Sequence, residues 1–377
     1  MMSTNPTTRK LPAKLLGPKS LAVSPIKSPA NKGRDELATA FNELTSVPTV
    51  QWSVTYRLQR VLGSGGQSVV YLADRLGSDD MTVPVALKVF SPKHYEDAGE
   101  YQLDMARIAR VTAHVALIQQ DHLLDVHNLV DCNGIRVLVM EWVDGFDLLH
   151  LLNPSTLEQT RDRVRDEKWS YLNQVVFSLG PARVRLMPGI ANSIVRECLA
   201  ALAALHREGI VHADIKPSNI MLKRTGNAKL IDLGAAFKIS EGEIMKTVTP
   251  RYAAPEVLRG APSTPASDLA SLGYVLIEML AGVQLFAGLD GYAALLRAKE
   301  RIMHYLYEIL PREIVASELL IDLIRGLVAP NPDERFPSAE AADLFDSGAA
   351  SFSRQLVTGN LASEYESDLR AWLSVVD

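Results

Sequence analysis

His212-Ala213-Asp214-Ile215-Lys216-Pro217-Ser218-Asn219, followed thirteen residues later by Asp232-Leu233-Gly234, decides how the rest of the chain is read. Asp214 can accept the proton of a hydroxyl, and Lys216, two residues on, supplies a cation. Asn219 and Asp232 add an amide and a carboxylate, oxygen donors of the kind magnesium prefers. Phosphoryl transfer asks little covalent chemistry of a protein. It needs positioning and charge neutralisation, and this small set can provide both. Taken alone, a His-x-Asp is a turn or a cap, so the reading depends on what stands around it.

Upstream, Leu62-Gly63-Ser64-Gly65-Gly66-Gln67-Ser68-Val69-Val70 lies between two strand-like stretches, Tyr56–Leu62 and Val69–Ala73. Glycines there let backbone amides approach phosphates with no Cβ in the way. The loop leads into a strand and not a helix, which disfavours a dinucleotide fold. Lys88, at the end of Val85-Ala86-Leu87-Lys88, stands eighteen residues after Val70. Strand alternation puts it on the same face as Ala86, so the face that floors an adenine pocket can also direct an ammonium at phosphates. Val139-Met140-Glu141-Trp142-Val143-Asp144-Gly145 ends a later strand. Downstream come Thr247-Val248-Thr249-Pro250-Arg251-Tyr252-Ala253-Ala254-Pro255-Glu256, then Ser267-Asp268-Leu269-Ala270-Ser271-Leu272-Gly273, then Asn331-Pro332-Asp333-Glu334-Arg335-Phe336.

In this order the motifs resemble those of eukaryotic-like, bacterial-type Ser/Thr protein kinases, over residues 51–345. The resemblance implies an α+β, bilobal protein-kinase-like fold. A small antiparallel β-sheet lobe with one main helix is expected over 51–143, and a larger, mostly helical lobe over 144–345. ATP and Mg2+ are the implied cofactors. The nucleotide is expected against Leu62, Gly63, Ser64, Gly65, Gly66, Val70, Ala86, Lys88, Glu141, Val143 and Met221. Asp214, Lys216 and Asn219 are the implied catalytic residues, and Asn219 and Asp232 the metal ligands. Met140 takes the gatekeeper position, with backbone groups of Glu141 and Val143 facing the adenine edge. Thr249 is placed near Asp214 and Lys216, Arg335 as the buried partner of Glu256, and Asp268 as a brace for the catalytic-loop backbone.

Three positions depart from the family pattern. Ser68 stands where a third glycine would be. Ala213 replaces the arginine that normally pairs with a phosphate on the activation loop, so that loop is expected to be ordered some other way. Phosphorylation of Thr247 should then have little effect on turnover. Finally, the acid that should pair with Lys88 is open between Glu100 and Asp104, twelve and sixteen residues on. Asp104 has the better spacing but is one methylene short; Glu100 has the right length but comes early.

The remaining sequence sets the context. Residues 1–50 are expected to form a disordered, basic, Pro-rich tail; its first 34 residues hold seven Lys/Arg, five prolines and no acid. Residues 158–187 read as a surface insertion, rich in arginine among acids, and 346–377 as a helical extension. In that extension Tyr365, Leu369, Trp372 and Val376 make a packing stripe. The apolar run Leu269–Phe286 is broken by Glu278 and two glycines and reads as a buried helix, so no membrane span is expected. The first residues lack a signal-peptide core. Cys132 and Cys198 are far apart in sequence, which fits a reducing cytoplasm. A net charge of −5 gives no reason to expect nucleic acid.

The expected function is transfer of the γ-phosphoryl group of Mg-ATP to Ser/Thr hydroxyls of protein substrates. Partners other than substrates are expected, if anywhere, at the basic tail or the 158–187 insertion. The alternative is a pseudokinase, a nucleotide-binding scaffold or signalling partner. It draws on the missing helix glutamate, the third glycine, Asp-Leu-Gly and Ala213. A small-molecule phosphotransferase is disfavoured by the Ala-Pro-Glu segment and its arginine.

Overall fold

Apolar alternation through the first third of the chain builds a five-stranded antiparallel sheet in a computed structural model, which describes residues 34–47, 53–241, 248–358 and 364–376. Residues 1–54 and 55–377 are two separate units. In the first, Arg34–Ser46 form helix α1 inside the segment expected to lack order. Ala, Glu and Leu favour a helix there. Leu37, Phe41 and Leu44 repeat at helical spacing and stay exposed. The rest of the basic tail, and Thr247, lie outside the described residues.

In the second unit the strands are β1 (Thr55–Ser64), β2 (Ser68–Leu76), β3 (Thr82–Phe90), β4 (Val126–Cys132) and β5 (Ile135–Glu141), in the order β1-β2-β3-β5-β4. Helix α2 (Ala98–Val115) starts at Asp97, whose side chain accepts the N–H of Glu100. Its Tyr101, Met105 and Ile108 pack on the sheet face that carries Ala86, Leu138 and Met140. Val85, Leu87 and Val139 gather with Ala73 in a separate cluster, as alternation requires.

Beyond the strand β6 (Gly145–Asp147) the chain is mostly helical. Here α3 (Leu148–Leu151), α4 (Pro154–Arg163) and α5 (Asp166–Val175) precede a hairpin, β7 (Phe177–Leu179) and β8 (Val184–Leu186). Helix α6 (Pro188–Arg207) is long and apolar enough to cross a membrane, yet 72% of its apolar window is buried in this fold. The short strands β9 (Ile210–Val211), β10 (Ile220–Lys223), β11 (Ala228–Leu230) and β12 (Phe237–Lys238) frame two loops, and α7 (Pro255–Leu258) precedes the central helix α8 (Pro265–Ala281). Every residue of α8 from Ser267 to Ala281 is buried. Thr264 and Ser267 cap it reciprocally, and Gly282 ends it in the left-handed region at φ 65°. At Gly273 a Cβ would come within 2.4 Å of Val328, so only glycine lets the neighbouring helix, Glu318–Val328, lie this close.

The 158–187 region departs from the expectation of a surface insertion. Leu157, Leu172, Val176, Phe177, Val184 and Leu186 belong to the main core. Phe177 packs on Trp372 of the C-terminal helix Tyr365–Leu373, with ring centroids 4.9 Å apart. The indole N–H of Trp372 donates to Thr160 (3.3 Å), and the Tyr171 hydroxyl donates to Asp368 (2.6 Å). Leu369, Trp372 and Val376 are all buried, so the terminal stripe is a packing seam closed by the inserted segment.

Candidate active site

The catalytic loop between β9 and β10 is held from below by the central helix. Asp268 of α8 accepts the backbone N–H groups of His212 (2.9 Å) and Ala213 (2.8 Å) and faces His206 Nε2 at 2.9 Å. That grip keeps Ala213 at φ 63°, a conformation that costs a non-glycine residue about 1–3 kcal/mol and persists only when its surroundings impose it. The turn presents Asp214. Its Oδ1 accepts the Thr249 hydroxyl (2.7 Å), and its Oδ2 accepts Lys216 Nζ (2.6 Å) and Asn219 Nδ2 (2.9 Å). Lys216 also reaches Thr249 at 3.3 Å. Three residues from two loops thus converge on the Asp214 carboxylate.

Asp232 lies on the facing loop at φ 65°. Its Oδ1 accepts Lys88 Nζ and the N–H of Gly234 (3.0 Å). Burial alone would push this carboxyl up, but the Lys88 ammonium and its hydrogen bond hold it down to about 2, fully ionised near neutrality. Asp232 Oδ2 and Asn219 Oδ1 have no hydrogen-bond partner among the described residues, while the Asn219 amide nitrogen is fixed by Asp214. Two hard oxygens free to ligate suit magnesium, which takes few protein ligands and completes its shell with phosphate and water. In keeping with that, no group of three or more His, Cys, Asp or Glu forms a metal cage among the described residues.

Neither of the two candidate acids of α2 pairs with Lys88. Glu100 turns back to the N–H of Glu96 (3.2 Å), and Asp104 accepts the Tyr95 hydroxyl (2.6 Å) and Arg107 Nε (2.8 Å). Lys88 pairs with Asp232 in their place.

The residues expected to meet a nucleotide lie on and beside the small-lobe sheet. β1 runs through Leu62, Gly63 and Ser64, and Gly65 N–H closes the turn on the Ser68 carbonyl (3.0 Å). None of Gly63, Gly65 and Gly66 has a positive φ. At Gly63 and Gly65 a Cβ would meet nothing within 4 Å, so what glycine contributes there is open space above the cleft. Ser68 is already extended and opposite Phe90, which explains why a third glycine is dispensable. Ala86, Met140 and Val143 form an apolar floor with Val70 and Met221 packed against it. Glu141 N–H donates to the Asp125 carbonyl (3.0 Å), whereas Val143 N–H has no partner among the described residues.

Support comes from a buried ion pair. Arg335 donates from both terminal nitrogens to Glu256, each at 2.7 Å, and from Nε to the Ala329 carbonyl (2.8 Å). Two further networks had no signal in the sequence. Lys229 reaches Glu141, anchoring the hinge strand to β11. Lys299 is wholly buried against Tyr274 and Phe286, 3.9 and 4.4 Å from their ring centroids, and donates to the Arg251 carbonyl (2.6 Å). Burial depresses its pKa strongly. In sequence Lys299 sits in a polar helical stretch, indistinguishable from a solvated lysine.

Residues 56–344 match the family model described as the protein kinase domain. The chain belongs to the protein kinase family. Among its relatives are the probable serine/threonine-protein kinase pknA2 of Bifidobacterium longum, 30% identical over 60% of this chain and 26% of that protein, and PrkC of Bacillus subtilis, 29% identical over 62% and 31%. PknD of Mycobacterium tuberculosis is 30% identical over 75% of this chain and 38% of its own length. The chain therefore spans about a quarter to two fifths of these bacterial kinases. Within the kinase fold, Lys216, Asn219 and Thr249 meet Asp214, and Asp232 follows Ile231, whose N–H donates to the Asn219 carbonyl (2.9 Å). The missed contribution is Arg107, whose signal, a cation one turn beyond Asp104, is visible only if a base is sought where the family has an acid.

Proposed function

We propose that the chain is an ATP- and magnesium-dependent protein serine/threonine kinase. The observation that carries this reading is the convergence of Lys216, Thr249 and Asn219 on Asp214, opposite an ionised Asp232. Asp214 is placed to orient a substrate hydroxyl and accept its proton, and Lys216 to neutralise the migrating phosphoryl group. Asn219 and Asp232 would hold magnesium, which when bound neutralises phosphate charge. Lys88, the glycine loop and the Ala86–Val143 floor would orient the nucleotide, with Val143 N–H meeting the adenine edge. Protein substrates with Ser or Thr acceptors are supported by the relatives, which are serine/threonine-protein kinases. A cytoplasmic location goes with this reading, because ATP and reducing conditions for the unpaired Cys132 and Cys198 are found there.

Asp214→Asn removes the proton acceptor while keeping the side chain's shape. It should lower turnover at least ~10²-fold, the lower range for a positioned acid–base group. Activity near wild type in that variant, measured with labelled ATP and a basic protein substrate, would overturn the assignment.

One observation favours a second reading, a nucleotide-binding pseudokinase: Lys88 pairs with Asp232 and with no acid of α2. Nucleotide binding without transfer under the same conditions would select it.

A further inference from the structure

α2 carries no acid to Lys88, yet it is bonded to the loop on which the metal ligand sits. Arg107 Nη2 donates to the carbonyl of Gly234 (2.7 Å) and Nη1 to that of Ala236 (2.6 Å). Its Nε is held by Asp104 (2.8 Å), which in turn accepts the hydroxyl of Tyr95 (2.6 Å). We propose that Arg107 is a positioning residue that fixes the Asp232-Leu233-Gly234 loop to α2, doing in this chain what an acidic partner of Lys88 would otherwise do. This rests on reading the cleft as a site for Mg-ATP.

The geometry favours positioning over simple packing. Gly234 is the residue whose N–H donates to Asp232 Oδ1 (3.0 Å), so fixing its carbonyl fixes the donor that orients the metal-facing carboxylate. A guanidinium is a rigid planar fork, and here three of its nitrogens are committed at once, two to the loop backbone and one to Asp104. Bonds from a charged donor belong to the stronger class, and the Arg107 side chain is only 17% exposed. The attachment also continues along the helix. Arg110 Nε donates to Glu241 (3.1 Å), and His114 Nε2 faces Lys238 Nζ at 3.2 Å. Residues 107, 110 and 114 share one face of α2, so a single helix edge follows the activation segment from its metal end to Glu241. Ala213 leaves the catalytic loop with no guanidinium to order that segment, and this edge supplies one from the other lobe.

The test uses the full chain and the variants Arg107→Met, Arg107→Lys, Asp104→Asn and the double Asp104→Asn/Arg107→Met. Two quantities are read: the magnesium dependence of binding of a fluorescent ATP analogue, and kcat with KM for ATP. Melting temperature is recorded for each variant. Losing the fork should raise the magnesium needed for half-maximal binding about tenfold and lower kcat ~10–100-fold, the scale of a slightly misplaced reacting geometry. Magnesium-free nucleotide affinity should stay within about twofold, because neither carbonyl touches the adenine floor. Arg107→Lys should recover part of the loss, and Asp104→Asn should show a smaller change in the same direction. The double variant should be no worse than Arg107→Met, since the two residues act as one unit.

An unchanged magnesium dependence in Arg107→Met and Asp104→Asn would overturn the proposal. So would a uniform fall in all binding with a large drop in melting temperature, the mark of a merely structural residue. If the wild-type chain binds Mg-nucleotide through Arg107 but transfers no phosphoryl group, the kinase reading fails and the positioning role stands. If it transfers with full dependence on Asp214 and none on Arg107, the reverse holds.

Discussion

Arg335 shows how a single buried side chain supports a loop about eighty positions away in sequence. Its guanidinium meets both oxygens of Glu256 and two backbone carbonyls, leaving little of its hydrogen-bonding capacity unused. Arg335→Met would strand Glu256 as a buried, unpaired carboxylate, and chemical denaturation should show a loss of about 3–5 kcal/mol. A loss below ~1 kcal/mol, the range of an exposed pair, would show the site to be solvated. pH gives an independent check. Burial raises the Glu256 carboxyl, but the Arg335 bonds more than offset this, so its folded pKa lies below the ordinary 4.5. Its contribution is therefore fully present above pH 4.5 and is lost as pH falls through the lower folded value. The stability gap between wild type and Glu256→Gln should narrow across that window; a gap widening toward acid would contradict the pairing. Sequence reading reached Glu256 and Arg335 because a motif marks each. It had no comparable signal for Lys299 or Arg107, whose roles depend on which chain segments the fold lays over them.

At the scale of elements, the central strands of the small lobe were legible as short apolar, β-branched runs, whose alternate residues divide between two clusters, Ala86 and Met140 on one side and Val85, Leu87 and Val139 on the other. The central helix was legible through an apolar run that Glu278 and two glycines break. Residues 158–187 were not. Arg161, Arg163, Arg165 and Lys168 mask the spacing of Leu157, Leu172 and Val176, and the partner of the neighbouring Phe177, Trp372, arrives some two hundred positions later. The consequence is testable. Trp372 is wholly buried, its ring lies on Phe177, and its N–H is bonded to Thr160. Trp372→Ala should cost about 3–5 kcal/mol in urea denaturation, as aromatic truncations in cores do. A change under ~1 kcal/mol would mean that the inserted segment and the terminal helix fold independently of the core. α1 differs for another reason: its propensity is helical but its apolar residues stay exposed, so composition alone read it with the polar tail before it.

At the scale of the molecule, the two lobes of the kinase fold meet through charged groups at the cleft and through the edge of α2. Lys88 joins the sheet to Asp232, Arg107 joins the helix to the same loop, and Asp268 holds the opposing catalytic loop to the large lobe's central helix. The apolar core of the large lobe thus sets where Asp214 stands, and the small lobe sets where Asp232 and the glycine loop stand. The proposed phosphoryl transfer would use both placements together, with an acceptor hydroxyl at Asp214 and the Asn219 and Asp232 oxygens across from it. By the proposed function, this cleft moves a phosphoryl group to a Ser or Thr hydroxyl of a protein. The most direct measurement incubates the purified chain with γ-labelled ATP, magnesium and a basic protein substrate, and identifies the labelled amino acid by mass spectrometry. Phosphoserine or phosphothreonine that forms with magnesium, and is abolished when the metal is chelated, is the predicted result. Bound nucleotide with no labelled Ser or Thr at any magnesium concentration would contradict it.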